Sequence, residues 1–284
     1  MQNYLDLLSD ILREGKMYGN RTRTRAVSVF GKRLSFNLQR GFPLVTTKKI
    51  FFRGVVEELL WILRGETNIK SLNEKGVHIW DEWADENGGL GPVYGHQWRN
   101  FGKIDQIVGL INGILNNPRS RRHVVSGWNP LYLPNEGISP QANVAVGNMA
   151  LAPCHLLFQC YVRETIEGSC FLDIQVTMRS VDSFLGMPFN IASYAALTHI
   201  LAFMCDARPG QLTMVFGDTH IYENHIPQVL PQIDRVPRAL PSLKFEPACK
   251  FDGRISYFIE SLSFQDFQLT GYDPYPAIAG DISV

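Results

Sequence analysis

The sequence predicts an α+β domain built around one large sheet, and three observations carry that prediction. Four runs of strand character, at 123–128, 156–162, 170–178 and 211–217, crowd the second half of the chain. Helical patterns at 2–15, 53–63, 104–115 and from about Asn190 onward lie before and between them. Strands and helices do not alternate regularly, which points away from a doubly wound parallel sheet. No linker or internal repeat divides the 284 residues, so 1–284 reads as a single domain around a large mixed sheet flanked by helices.

Taken in order, Tyr4, Leu5, Leu7, Leu8, Ile11 and Leu12 recur at helical spacing. The run RTRTR (21–25) follows, and then AVSVF, Gly31-Lys32 and RLSFNL, which read as a hairpin. Leu34, Phe36 and Leu38 alternate there with Arg33, Ser35 and Asn37. Residues 53–63 form a helix that is apolar on most faces. The segment 133–148, rich in Pro, Gly and Asn, reads as a surface loop. The stretch NIASYAALTHILAFM reads as a long apolar helix between the last two strands.

Charge narrows the function classes. With 27 Lys+Arg against 27 Asp+Glu the net charge is zero, so a protein that coats nucleic acid is not expected. The start, MQNYLDLLSDIL, lacks the continuous apolar run of a signal peptide, and no segment reads as a membrane span. Five cysteines without a CxxC pair argue against a disulfide framework and a zinc site. A cytoplasmic protein is the expectation.

Several residues could carry chemistry. Cys154, in ALAPCHLLFQCYV, stands at a loop–strand junction that could present it to a cleft, and a nearby arginine would favour its thiolate. The alternative is a small buried hydrophobe, as expected for Cys160, Cys170, Cys205 and Cys249. His155 need not be its base, since neighbours along a strand point to opposite faces. Glu58 lies between Val55 and Ile62 on an apolar helix face. It is either a marginal acid paired with Arg53 or a partly buried carboxylate suited to moving a proton. Arg179-Ser180 and Arg121-Arg122 are of the type that grips a phosphate dianion. GDTHIYENH (217–225) lacks metal-ligand order, so no metal is expected.

Read together, GFPLVTTKK (41–49), EELLWILRGETN (57–68), IWDEWADENGGLGPVYGHQW (79–98), ALAPCHLLFQ (150–159), FLGMPFNIASYA (184–195), GDTHIYENH and GYDPYP (271–276) resemble the thymidylate synthase family. The resemblance runs from residue 1 to about 275, and 133–148 is its largest interruption. It implies a homodimer that takes dUMP and 5,10-methylenetetrahydrofolate as substrates, with no metal, no membrane and no nucleic acid required.

By motif, Cys154 would be the nucleophile, and Glu58 and Tyr94 would serve proton transfer. Arg21, Arg179 and Ser180 would hold the phosphate, with Arg121 and Arg122 supplied by the partner subunit. Asn190 would read the uracil edge, and His220 and Tyr222 the sugar. Ile79, Trp80, Trp83, Leu151, Asp182, Gly186, Phe189 and Val284 resemble the folate-contacting set, and Lys48 the group that meets the folate's glutamate tail.

Departures keep other readings open. Arg23 and Arg25 replace glycines of the family's RTGTG; they either contact the substrate phosphate, the folate tail or the C-terminal segment, or are simply solvated. Met178 stands where synthases mostly carry glutamine, Tyr275 replaces a histidine, and the tail AIAGDISV is unusually polar. Met178 and the tail motivate a dUMP hydroxymethylase, in which water captures the methylene carbon. A third reading is a non-catalytic nucleotide- or RNA-binding dimer.

Overall fold

In the computed structural model, which describes residues 1–19 and 24–282, the strands form one large sheet and one small one. The large sheet contains β1 (Lys16–Tyr18), β2 (Ala26–Asn37), β3 (Val124–Ser126), β4 (His155–Glu164), β5 (Cys170–Asp182) and β6 (Arg208–Tyr222). Their order is β1-β2-β6-β5-β4-β3, with β5 and β6 parallel and all other neighbours antiparallel. β7 (Ser242–Phe245) and β8 (Phe267–Thr270) pair separately. The expected α+β class with a large mixed sheet is what forms.

Period-two patterning decides which face is inside. On β6, Leu212, Met214 and Phe216 are buried while Thr213 and Val215 are half-exposed; on β5, Leu172, Ile174, Val176 and Met178 are buried. The buried face packs against the helices Gly186–Met204 and Gln2–Glu14. Tyr4 fixes the second of these by donating its hydroxyl to the Ser183 carbonyl at 2.9 Å.

The helix Gly186–Met204 is the crossover that parallel β5 and β6 require. It is apolar all round because protein surrounds it. Contrary to expectation, it is long and apolar enough to cross a membrane, but most of it is buried inside the molecule as a core helix. It also begins four residues before Asn190. Asp182 sets that start by accepting from the backbone N–H groups of Phe184 and Leu185, and Pro188 sits in the first turn, where no N–H is missed.

The expected hairpin at Gly31-Lys32 does not form. Ala26–Asn37 is one continuous strand paired along its length with β6, from Ala26–Tyr222 to Asn37–Gln211. Gly31 has φ +78 and kinks the strand instead of reversing it. Burial shifts across the kink from Val27 to Leu34 and Phe36, so both halves reach the core despite opposite parity. The 133–148 segment is also more than a loop, since it contains the helix Pro140–Ala145.

No neighbouring atom lies within 4 Å of where a Cβ on Gly31 would stand, so a substitution there reads backbone conformation alone. Gly31→Ala is expected to lower unfolding stability by about 1–2 kcal/mol, and Gly31→Asn by less, because Asn tolerates the left-handed region. Urea titration of the two variants checks this; equal losses would contradict the kink.

Candidate active site

β4, β5, the helix Gly186–Met204 and the helix Phe52–Leu63 enclose a cavity of about 210 Å³. Glu58, Trp80, Tyr94, Cys154, His155, Ser180, Asp182, Gly186 and Asn190 line it together with Ile62, Trp98, Met178, Val181, Ser193 and Tyr194. Those four elements, the helix Tyr94–Asn100 and the segments carrying Trp80 and Cys154 thus deliver the central residues expected from the sequence to one place.

Cys154 lies in a bend just before β4, half-exposed rather than buried as a simple hydrophobe would be. Three contacts hold it. Its backbone N–H donates to the Tyr94 hydroxyl at 2.8 Å, its carbonyl accepts from the Arg179 N–H at 2.9 Å, and Arg179 Nη2 lies 3.8 Å from Sγ. The same guanidinium donates to the carbonyls of Pro153 and Ala152, both at 2.9 Å. A fixed positive group beside sulfur favours the anionic nucleophile. Cys160 is fully buried as expected, and burial pushes its thiol well above the ordinary range. Cys170, Cys205 and Cys249, expected to be buried too, are half-buried like Cys154, which differs from them by lining the cavity beside Arg179.

Glu58 is the buried-carboxylate alternative, not the salt-bridged one. Arg53 instead faces Glu57, which Lys75 also pairs at 2.8 Å. Around Glu58 the apolar wall raises the carboxyl from its ordinary 4.5 to about 7, and a 2.8 Å bond donated by Trp80 Nε1 partly offsets this. Such a group exchanges protons near neutral pH. Burial likewise raises the Tyr94 phenol well above its ordinary value, so its proton remains available for donation.

His155 corrects the expectation of opposite faces. It lines the same cavity as Cys154, because Cys154 precedes the strand and the β4–β5 register shifts between His155 and Leu157. Burial lowers its pKa to about 4, so the ring is neutral and is no base for the thiol. Its Nε2 bonds Asn190 Oδ1 at 3.2 Å and its Nδ1 bonds the Tyr194 hydroxyl at 3.1 Å. One tautomer satisfies both: Tyr194 donates to Nδ1, and Nε2–H donates to Asn190. The Asn190 amide is thereby oriented with its N–H groups left for a ligand. Neither His155 nor Tyr194 was expected in the site; the polar Tyr194 on an otherwise apolar helix face was the available signal.

His220 and Tyr222 stand at the far end of β6, with His220 opposite Asp182 across the sheet and ring-to-ring with Tyr222 at 4.9 Å. His220 Nδ1 bonds Asp218 at 2.6 Å, and Asp218 also accepts from Ser28 at 2.8 Å. These bonds give the polar residues of GDTHIYENH partners within the protein, and among the described residues no cluster could hold a metal ion.

An apolar wall extends from the cavity. Trp80 packs edge-on to Trp83 at 5.8 Å and to Tyr94 at 6.1 Å, and Ile79, Trp83, Leu151 and Phe189 are half-buried against the core. The aromatic and aliphatic surface beside a polar cleft suits a flat heteroaromatic ring.

Other expected residues lie apart from the cavity. Lys48 is buried, donates to the Phe184 carbonyl at 2.6 Å and sits 3.5 Å from that ring's centroid. Burial lowers its ammonium to about 7, while Asp182 pulls it back up. Arg121 and Arg122 are exposed just before β3. Arg21, Arg23 and Val284 lie outside the described residues.

Arg25 does not meet the contacts expected of it. It forms a two-pronged pair with Glu223, at 3.0 and 2.6 Å, and its carbonyl accepts from the Glu223 N–H at 2.8 Å. Tyr275 also has a local reason. Its ring lies 4.3 Å from the Arg238 guanidinium and 5.2 Å from that of Arg235, and its N–H donates to the Thr46 carbonyl.

Comparison with known proteins agrees with this geometry. The family model described as thymidylate synthase matches residues 2–284. The thymidylate synthase of Francisella philomiragia subsp. philomiragia is 50% identical over 288 residues, covering 100% of each chain. That of Francisella tularensis subsp. holarctica is 50% identical over 286 residues, again covering 100% of both. Matched by that family model over residues 2–284 and by relatives 50% identical over their whole length, the chain belongs to the thymidylate synthase family.

Proposed function

We infer that this chain is a methyltransferase that moves a one-carbon unit from 5,10-methylenetetrahydrofolate to C5 of dUMP and reduces it, giving dTMP and dihydrofolate. The observation that carries the site assignment is Cys154 held between Arg179 and Tyr94, in a cavity shared with Glu58 and Asn190.

Cys154 Sγ adds to C6 of the uracil, and the ring's electrons collect as an enolate that makes C5 nucleophilic. Asn190, oriented by His155, donates to O4 as negative charge develops there and accepts from N3–H, a pattern matching uracil rather than cytosine. C5 bonds the folate's methylene carbon. Loss of the C5 proton then breaks that carbon's bond to the folate nitrogen, and the released tetrahydrofolate gives its hydride to the exocyclic methylene, becoming dihydrofolate. Glu58, titrating near neutral pH in the cavity it shares with Tyr94, takes up the proton that leaves C5. After reduction the C6–S bond breaks and Cys154 departs as thiolate.

Arg179 uses Nε and Nη2 on the Cys154 loop, which leaves Nη1 for the nucleotide phosphate beside Ser180. His220 and Tyr222 serve the sugar hydroxyl, and Arg21 a further phosphate contact. Ile79, Trp80, Trp83, Leu151, Gly186 and Phe189 form the wall for the folate, with Asp182 at its edge and Val284 closing over it. For Lys48 to meet the glutamate tail its side chain must leave the Phe184 carbonyl. Arg121 and Arg122 complete the phosphate site across a homodimer. In support of that assembly, both arginines are exposed outside the protomer's own cavity and the second face of the large sheet is only half-buried. The enzyme works in the cytoplasm as one domain without nucleic acid.

Water capture of the methylene carbon is not favoured. Met178 is buried on β5 with its thioether side chain lining the cavity, where it excludes water and offers no group to activate it. The tail is also anchored: Gly280 packs against Phe184 and His225, and His225 Nε2 donates to the Asp281 carbonyl at 2.8 Å.

Incubation with dUMP and methylenetetrahydrofolate, followed by mass analysis of the nucleotide, tests the reading. Dihydrofolate formed in step with dTMP is expected; a product heavier by one oxygen, with no dihydrofolate, would overturn it. Cys154→Ser is expected to abolish turnover while dUMP still binds, measurable by calorimetry.

Glu58→Gln is expected to slow turnover by about 10²–10⁴-fold. Because the native carboxyl is protonated more readily than the unfolded one, its contribution to stability is full below about pH 4.5 and is lost as pH rises through about 7. Melting temperatures should therefore show Glu58→Gln gaining on the parent from pH 5 to 8. A parallel pH dependence would refute the burial account.

A further inference from the structure

The 133–148 segment interrupts the family resemblance, yet it is built as a rigid part. Ser139 caps the helix Pro140–Ala145 by accepting from the Ala142 N–H at 3.1 Å, with Pro140 in the first turn. Asn143 is buried and acts as its internal clasp. Its Oδ1 accepts from the Asn135 N–H at 2.7 Å, and its Nδ2 donates to the carbonyls of Asn135 at 3.0 Å and Ser139 at 3.2 Å. Val144 packs on the hydrophobic core.

That scaffold aims one side chain at the folate wall. Gln141 Nε2 donates to the Glu82 carbonyl at 3.1 Å and to the Ala84 carbonyl at 3.2 Å. The two carbonyls flank Trp83, the last residue of the 3-10 turn Asp81–Trp83. A single turn of that kind has poor hydrogen-bond geometry and little stability of its own. An amide nitrogen with two hydrogens bridges both carbonyls at once, which a carboxylate cannot do and a methyl group cannot replace. Trp83 in turn packs on Trp80, whose Nε1 holds Glu58.

We propose that Gln141 is a positioning residue for reduced folate: by clamping the carbonyls on either side of Trp83 it sets the aromatic wall against which the folate ring lies. The inference rests on the folate-wall assignment made above for Trp83. Gln141 touches neither the nucleotide groups nor Cys154, so its effect falls on one substrate only.

The test is steady-state kinetics of the full-length protein and of Q141A, Q141E and Q141K, together with melting temperatures. In Q141A the KM for methylenetetrahydrofolate rises about three- to tenfold while the KM for dUMP stays within about twofold of the parent. Q141E, nearly isosteric but aiming an oxygen at two carbonyls, is worse than Q141A. Q141K, whose ammonium can donate to both carbonyls, recovers most of the parent's folate KM. Acrylamide quenching that is lost in a W83F background increases in Q141A and Q141E without any substrate present.

Folate KM values indistinguishable from the parent in Q141E, equal rises for both substrates, or a lysine variant no better than alanine would each overturn the proposal. If the parent itself forms no dTMP, the functional reading fails instead. The quenching arm then still decides whether Gln141 holds Trp83.

Discussion

Arg179 is the side chain on which the site's geometry depends. It joins β5 to the bend before β4 through bonds to the carbonyls of Ala152 and Pro153, and its own N–H holds the carbonyl of Cys154. A guanidinium suits this task because its donors lie in a rigid plane and its charge does not titrate away. One residue thereby fixes the backbone around Cys154 and sets a positive group beside its sulfur. The neighbouring strand makes room: a Cβ at Gly217 on β6 would stand 2.5 Å from the Arg179 carbonyl, so only glycine permits the approach.

The second constraint is dielectric. Glu58, Tyr94, His155 and Lys48 are all shifted toward their neutral forms, and in each case burial is the leading cause. Three of these, Glu58, Tyr94 and His155, line the cavity, where a low dielectric strengthens the field of the Arg179 guanidinium beside Cys154. Neutrality also settles the His155 tautomer, since a protonated ring would donate at both nitrogens and could not accept from Tyr194.

Much of this was legible in the sequence, and the failures share a cause. Helices at 2–15, 53–63 and 104–115 appear within a few residues of their periodic patterns, since side-chain spacing alone specifies an amphipathic face. Cys154, Glu58, Tyr94, Asn190 and Ser180 converge as the motifs implied. Gly31 reads as a turn because local sequence cannot distinguish a left-handed reversal from a left-handed kink; the partner that decides it, β6, lies far along the chain. His155 was set on the wrong face because period two holds only inside a regular ladder. What the sequence did not show for Lys48 is its bond to a carbonyl 136 residues away. Backbone acceptors carry no sequence signal.

Arg25 shows how such distant partners change the meaning of a local pattern. Two arginines replacing glycines suggest added positive charge at the mouth of the site. In the fold, Arg25 is spent on Glu223, 198 residues away, so the pair contributes no net charge. As an exposed, solvent-screened ion pair it adds little to stability. Its effect is geometric: together with the backbone bond from Glu223 it ties the end of the arginine run to the residue after Tyr222. The pair's two prongs and one backbone bond fix Arg25 beside the strand end that carries His220 and Tyr222. Arg25 is therefore better understood as part of the same strategy as Arg179 and Gln141, in which side chains reach across the fold to hold backbone near the cavity.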